Sequence, residues 1–231
     1  MIAEISFRNP EYTLFFRGQR HRHLKKRNLV DSFYPSIYRS PKKPLSATEL
    51  EGRFKRLDEC SSQLLAYFML DRITGRTKLR NYPELLWAIL QHYEVCPTPL
   101  LDVTHSLRVA ASFALKDADN DGFLYVFAFP YPNGSITYSV ESELMIVRLL
   151  SICPPAAQRP YFQEGFLVGT FPSRSQRRRP SLDIGVRLVG KFELLHGHFW
   201  DGDFQAIPQA ALFPDDDEIK RLCDSFQDGA E

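Results

Sequence analysis

The sequence predicts an α+β domain in which one strand is followed by helices and then by a run of strands. Three observations carry this reading. A short apolar segment near the start stops at an Arg-Gly pair, and helix-period patterns with recognisable caps fill the middle. After Asp121-Gly122 the chain turns to runs of Phe, Tyr, Val and Ile divided by Pro and Gly. Strands grouped apart from helices favour α+β packing over alternating βαβ units. The 231 residues, 44% hydrophobic with 18 Phe and 10 Tyr, suffice for a sizeable core and exclude global disorder.

Each element has its own signal. Thr13-Leu14-Phe15-Phe16 reads as a short buried strand ending at Arg17-Gly18, and a loop rich in bases and prolines follows. Ser46 with Glu49 three positions on makes a capping box, so a helix begins near Ala47. Leu50, Phe54, Leu57, Leu64, Leu65, Phe68 and Met69 carry it at helical spacing toward Gly75. Asn81, ahead of Pro83 and Glu84, opens a second helix with Leu85, Leu86, Ile89 and Leu90. The stretch from Gln91 to Thr104 reads as a connection to a third, short helix holding Leu107, Ala110, Ala111 and Ala114. Strands are expected at Phe123–Phe129, Ile136–Ser139, Leu144–Leu150, Tyr161–Val168 and Ile184–Leu195, with a turn at Pro132-Asn133-Gly134. Residues from Asp215 to Phe226 are expected to add an amphipathic terminal helix within an acidic tail, 215–231. No repeat or linker divides the chain, so a single domain is expected over 1–231.

Composition narrows the functional classes. The longest apolar stretches, such as Leu85–Leu90 and Phe123–Pro130, fall short of the ~18–20 residues that a bilayer requires. The opening Met-Ile-Ala-Glu-Ile-Ser lacks the pattern of a secretory signal, so a cytoplasmic location without membrane partners is expected. Cys60, Cys96, Cys153 and Cys223 form no C-x-x-C pair and have no His at zinc-ligand spacing. They read as buried thiols, and no metal site is expected. The net charge of +1 hides an asymmetry: residues 17–56 hold twelve Lys/Arg against three Asp/Glu, and residues 201–231 hold nine acids against two bases. Such a division fits an anionic ligand at one end and a shielding or partner surface at the other; it also fits two solvated faces. Two basic clusters, Arg22 with Lys25, Lys26 and Arg27, and Arg177 with Arg178 and Arg179, are candidate nucleic-acid contacts acting through phosphate.

Three segments hold chemistry-bearing side chains. In Phe16-Arg17-Gly18-Gln19, an arginine fork at a strand end suits phosphate or ribose oxygens, and the glycine permits close backbone approach. A structural salt bridge explains the same tetrapeptide. Between Gln91 and Thr104, His92 is a candidate polar anchor or proton carrier, and Asp102 or Thr104 a candidate helix cap. In Tyr161-Phe162-Gln163-Glu164-Gly165-Phe166, strand alternation would send Gln163 and Glu164 to opposite faces, so one of them faces a cleft and the other solvent.

Phe16–Gln19, Tyr34-Pro35-Ser36-Ile37-Tyr38-Arg39, Gln91-His92-Tyr93, Pro97-Thr98 and Leu100-Leu101-Asp102 together resemble the FRG domain, over roughly Leu14 to Tyr125. Val109–Ala114 and Asp121–Val126 also fit its pattern. A second resemblance supplies chemistry. Arg17, then Thr104-His105-Ser106 running into Ala110–Ala114, then Gln163-Glu164 follow the order of motifs in ADP-ribosyltransferases of the arginine–serine–glutamate type. That resemblance implies split, mixed β-sheets with helices inserted after the first strand, and NAD as substrate. It gives Arg17 and either Glu164 or Gln163 catalytic roles. Cofactor-binding roles fall to Arg17, Gly18, Gln19, His92, Thr104 and Ser106. The chain departs from the pattern in lacking the first serine of the middle motif, and in having Gln163 two residues before Gly165. A glutamine orients a hydroxyl and takes no proton. The resemblance further implies a toxin or phage-defence effector that transfers ADP-ribose to RNA, DNA or protein, restrained by an antitoxin. A non-catalytic nucleic-acid or nucleotide-binding module is the alternative, and an NAD glycohydrolase the third.

Overall fold

The computed structural model describes residues 1–24, 31–40, 45–116, 121–155, 157–171, 177 and 183–228. Helix α1 (Ile2–Arg8), which the sequence reading does not anticipate, precedes strand β1 (Thr13–Gln19). Strand β1 does not stop at Arg17-Gly18. Its ladder with β3 (Gly122–Phe129) continues through Arg17↔Tyr125, Gly18↔Leu124 and Gln19↔Phe123.

Helix α2 (Ala47–Leu70) starts where Ser46 and Glu49 predict, with both hydrogen bonds of the capping box formed. Helices α3 (Arg76–Asn81) and α4 (Pro83–His92) follow, and Tyr82 rather than Asn81 caps α4. The connection expected between Gln91 and Thr104 contains a strand, β2 (Leu100–Thr104). Helix α5 (Leu107–Ala114) is as predicted, opened by Ser106 Oγ accepting from the Val109 N–H. Strands β4 (Ile136–Ser139), β5 (Leu144–Arg148), β6 (Gly165–Thr170) and β7 (Leu188–Leu194) complete the sheet. Helices α6 (Arg159–Phe162), α7 (Gln209–Leu212) and α8 (Glu218–Asp228) lie between and after them. Tyr161 therefore sits in a helical turn, and the strand expected from it begins only at Gly165.

Among the described residues the strands form one seven-stranded sheet, ordered β4-β5-β6-β2-β1-β3-β7. Every pairing in it is antiparallel. The α+β class holds, while the split, mixed arrangement does not. The nearest thing to a split is the β1–β2 seam, registered only at Phe16↔Thr104. Pro132-Asn133-Gly134 closes no hairpin, because β3 and β4 lie near opposite ends of the sheet.

Two helical blocks cover one face of the sheet. Helices α2–α4 pack over Leu100, Met145, Val147 and Leu167, and α5 packs over Phe16, Leu124 and Val126. Alanines make the second contact close: a Cβ on Gly18 would lie 1.7 Å from Ala110 O, and one on Gly122 would lie 2.3 Å from Ala114 O. The other face buries an aromatic layer, with Phe15, Tyr125, Phe127, Phe129 and Phe166 under Phe33 and Ile184. All four cysteines are free; Cys60, Cys153 and Cys223 are buried and Cys96 is partly so. Among the described residues no helix is long and apolar enough to cross a membrane.

Candidate ligand-binding site

Where the two helical blocks part, a cavity of about 210 Å³ opens over β1, β2 and the start of β6. Even-numbered residues of β1 and β2 share the helix-covered face, so Phe16, Gly18, Asp102 and Thr104 form its floor. Gln91, His92 and Glu94 at the end of α4 line one side, and Val109, Ala110 and Phe113 of α5 line the other. Arg159, Gln163, Gly165, Phe166 and Phe213 close it.

Arg17 occupies the seam. Beyond Phe16 the backbones of β1 and β2 no longer pair, and Arg17 Nη1 donates to the main-chain oxygen of Asp102 at 2.6 Å. Its Nε is buried with no partner among the described residues. Burial lowers its pKa to about 10, partly offset by Asp102, so it remains cationic at neutral pH. Asp102 is not a helix cap. Its carboxylate accepts from Gln91 Nε2 at 2.8 Å and stands 3.8 Å from His92 Nδ1. Burial alone would raise the carboxyl pKa, but His92, Arg17 and Gln91 outweigh it and hold the pKa below the ordinary value. Gln91 is itself fixed, its Oε1 accepting from Thr98 Oγ1 at 2.5 Å and from Ser36 Oγ at 3.3 Å. His92 is 5% exposed, and its Nε2 has no partner among the described residues.

Of the two residues in the third motif, the glutamine lines the cavity. A helical turn precedes β6, so strand alternation does not apply to Gln163 and Glu164. Gln163 is buried, lines the cavity, and donates from Nε2 to Leu212 O at 2.8 Å. Glu164 is exposed at a φ of 45° and does not line the cavity, which corrects its assignment as a catalytic residue. The left-handed backbone there turns the chain into β6 and carries the side chain outward. Thr104 lies on the floor, its Oγ1 accepting from the Ser106 N–H.

Other expected site residues have structural partners of their own. Ser106 is spent on capping α5 and Gln19 is buried at the end of β1; neither lines the cavity. Gly18 does line it, but the glycine is required by the backbone of α5. Two candidate nucleic-acid contacts are already paired. Arg22 holds Asp31 through Nε and Nη2 at 3.0 and 3.1 Å, and Arg177 holds Asp58 through both terminal nitrogens at 2.7 and 2.9 Å. Lys25, Lys26, Arg27, Arg178 and Arg179 lie outside the described residues.

The sequence motifs include Gln91 without a role of its own, leave Arg159 outside, and offer Asp102 as a helix cap. The alternation of Leu101 and Val103 with Asp102 and Thr104 was the available signal that Asp102 belongs to a strand facing a cleft. Arg39, exposed near the site, feels the charge of Asp102. Burial, Arg39 and Arg17 together lower the pKa of His23.

These features define an α+β protein with a cavity built on an opened strand seam. Residues 12–122 match the family model of the FRG domain. No curated protein and no solved structure matches the chain. Phe16, Arg17 and Gly18, which match the family's phenylalanine-arginine-glycine signature, have three separate physical tasks here: the core under α5, the seam, and the close approach of α5. The matched stretch supplies the cavity floor and two walls, and Arg159, Gln163, Gly165, Phe166 and Phe213 come from beyond it.

Proposed function

We propose that this protein is an ADP-ribosyltransferase that consumes NAD. One observation carries the reading. Arg17, Thr104 and Gln163, distant in sequence, meet around a single cavity on β1, on β2 and just before β6, which are neighbours in the sheet. That convergence supports a common site for the three motifs of the transferase resemblance.

In this reading Arg17 holds a phosphate of NAD by a charge-assisted hydrogen bond. Asp102 takes the part that a glutamate plays in the resembled enzymes. A carboxylate kept ionised in a partly dry site stabilises the oxocarbenium-like ribose as its bond to nicotinamide lengthens. Gln163, its amide nitrogen committed to Leu212, orients a ribose hydroxyl through its oxygen. Phe16, Phe113 and Phe213 form apolar walls for the nicotinamide ring. The glycosidic bond breaks with its electron pair leaving on nicotinamide. A lone pair on the acceptor then forms the new bond, and the acceptor's proton passes to solvent. The basic stretch at 17–56 favours RNA or DNA as acceptor over protein. A toxin or phage-defence effector in the cytoplasm, restrained by an antitoxin, is the role such an activity would serve. Gln163 favours one second reading, a non-catalytic nucleotide-binding module, because an amide takes no proton.

The test is incubation of the protein with labelled NAD and, separately, RNA, DNA and cell protein, following nicotinamide release and label transfer. Transfer to one acceptor class is expected, lost in Arg17→Ala and in Asp102→Asn and retained in Glu164→Ala. Release without transfer would replace the transferase by a glycohydrolase. Absence of release with every acceptor would leave the binding module.

A further inference from the structure

Arg159 belongs to none of the motifs that the sequence singles out, yet it is buried in the cavity wall at 5% exposure. Its backbone is pinned. The Arg159 N–H donates to Asp217 Oδ2 at 2.8 Å, and the same fully buried carboxylate accepts from the Tyr93 hydroxyl at 2.8 Å and the Lys220 N–H at 3.0 Å. The guanidinium is also held in place, lying 4.5 Å from the ring centroid of Phe213 and 5.7 Å from that of Tyr93. Aromatic stacking of this kind orients the plane and leaves the N–H edge to bind an acceptor.

That edge is under-used. Arg159 Nε is buried with no hydrogen-bond partner among the described residues. Glu94 Oε1 forms an ion pair with Nη2 at 3.8 Å, longer than a hydrogen bond, and the Glu94 side chain is 78% exposed, so solvent screens the pair. A buried charged donor left unmade is costly, and an anionic acceptor in the cavity removes the cost.

The placement of the two arginines adds a constraint. Arg17 stands on β1, Asp102 on β2, and α6 leads into β6 on the far side of β2. Arg17 and Arg159 therefore line the cavity from elements on either side of β2, with the Asp102 carboxylate on the strand between them. Asp102 repels a phosphate set directly upon it and favours hydroxyls or a developing cation there. Phosphates are thereby directed to the arginine-bearing walls.

We propose that Arg159 is a second anion-binding residue of this cavity, and that with Arg17 it selects a diphosphate-bridged nucleotide over a monophosphate or a nucleoside. The inference rests on the nucleotide reading above and adds the residue that reads the diphosphate bridge.

The experiment is calorimetric titration of ADP-ribose, AMP and adenosine into the full chain and into Arg159→Gln and Arg159→Lys, with folding checked by thermal melting. The wild type should bind ADP-ribose about tenfold or more tighter than AMP. Arg159→Gln should lose about ten- to hundredfold for ADP-ribose and change little for AMP, the scale of one charge-assisted contact. Should the glutamine variant not fold, Arg159→Lys decides, because lysine keeps the charge and lacks the planar fork; it should bind ADP-ribose about fivefold or more weakly. ADP-ribose affinity unchanged in a folded variant overturns the inference and leaves the nucleotide reading standing. A wild type that binds none of the three ligands overturns both.

Discussion

Replacing Gly18 by alanine tests whether the glycine of the Phe-Arg-Gly signature serves packing or ligand approach. The added Cβ would sit 1.7 Å from Ala110 O, 2.8 Å from Ala110 C and 2.8 Å from Ala114 N. All three are main-chain atoms, so no rotamer change relieves them. Restoring an ordinary separation of about 3.5 Å needs α5 to retreat by roughly 1.5–2 Å. That retreat loosens Phe16, Ala111, Leu124 and Val126, which α5 packs against or contributes. Overpacking costs about 1–3 kcal/mol, and a backbone clash belongs at the upper end. For a chain of this size, about 3 kcal/mol lowers the melting temperature by about 6–12 °C. The assay is urea and thermal unfolding of Gly18→Ala beside Gly52→Ala, whose added Cβ meets nothing within 4 Å. Gly52 lies inside α2, so alanine there should stabilise by about 0.5–1 kcal/mol. A Gly18→Ala protein within about 0.5 kcal/mol of wild type would refute the packing argument and return this glycine to the ligand.

Three other outcomes are expected. Asp31 bonds Arg22, Lys191 and Tyr125, and these bonds outweigh its burial and lower its pKa to about 2. Its contribution, at most about 2 kcal/mol, is therefore present above about pH 4 and is lost as pH falls through about 2; the urea midpoint of Asp31→Asn should fall less steeply over that window, and a parallel decline would contradict the assignment. Asp217→Ala strands the Tyr93 hydroxyl and the Arg159 and Lys220 N–H groups, so unfolding should show a loss of about 3 kcal/mol or more. Arg177→Ala should cost under about 1 kcal/mol, since the Asp58 pair is partly exposed, and should leave nucleic-acid affinity by filter binding within about twofold; a larger fall in affinity would restore Arg177 as a contact.

Local rules made much of this molecule legible from sequence, and the failures have a common cause. The capping box of α2, the opening of α5 and the strand bearing Arg17 follow from residues within a few positions of one another. β2 alternates over only five residues between helices, too short a run to separate a strand from an extended connection. It becomes one only by pairing with β6, some sixty residues later, along Leu100↔Gly169 to Thr104↔Gly165. Gln163 and Glu164 were separated by the wrong rule, since alternation governs strands and these residues end a helical turn.

The sequence by itself determined which residues carry charge, where the caps of α2 and α5 fall, and that arginine, amide and aromatic groups are present in quantity. Tertiary structure decided which of them meet. It set Asp102 between Gln91, His92 and Arg17, paired Arg22 and Arg177 away to carboxylates, and brought Arg159 from beyond the family's matched stretch into the same cavity. The physical reason is that a site of this kind is a set of side chains on neighbouring strands, and strand neighbours are chosen by long-range pairing and burial that no short window of sequence contains.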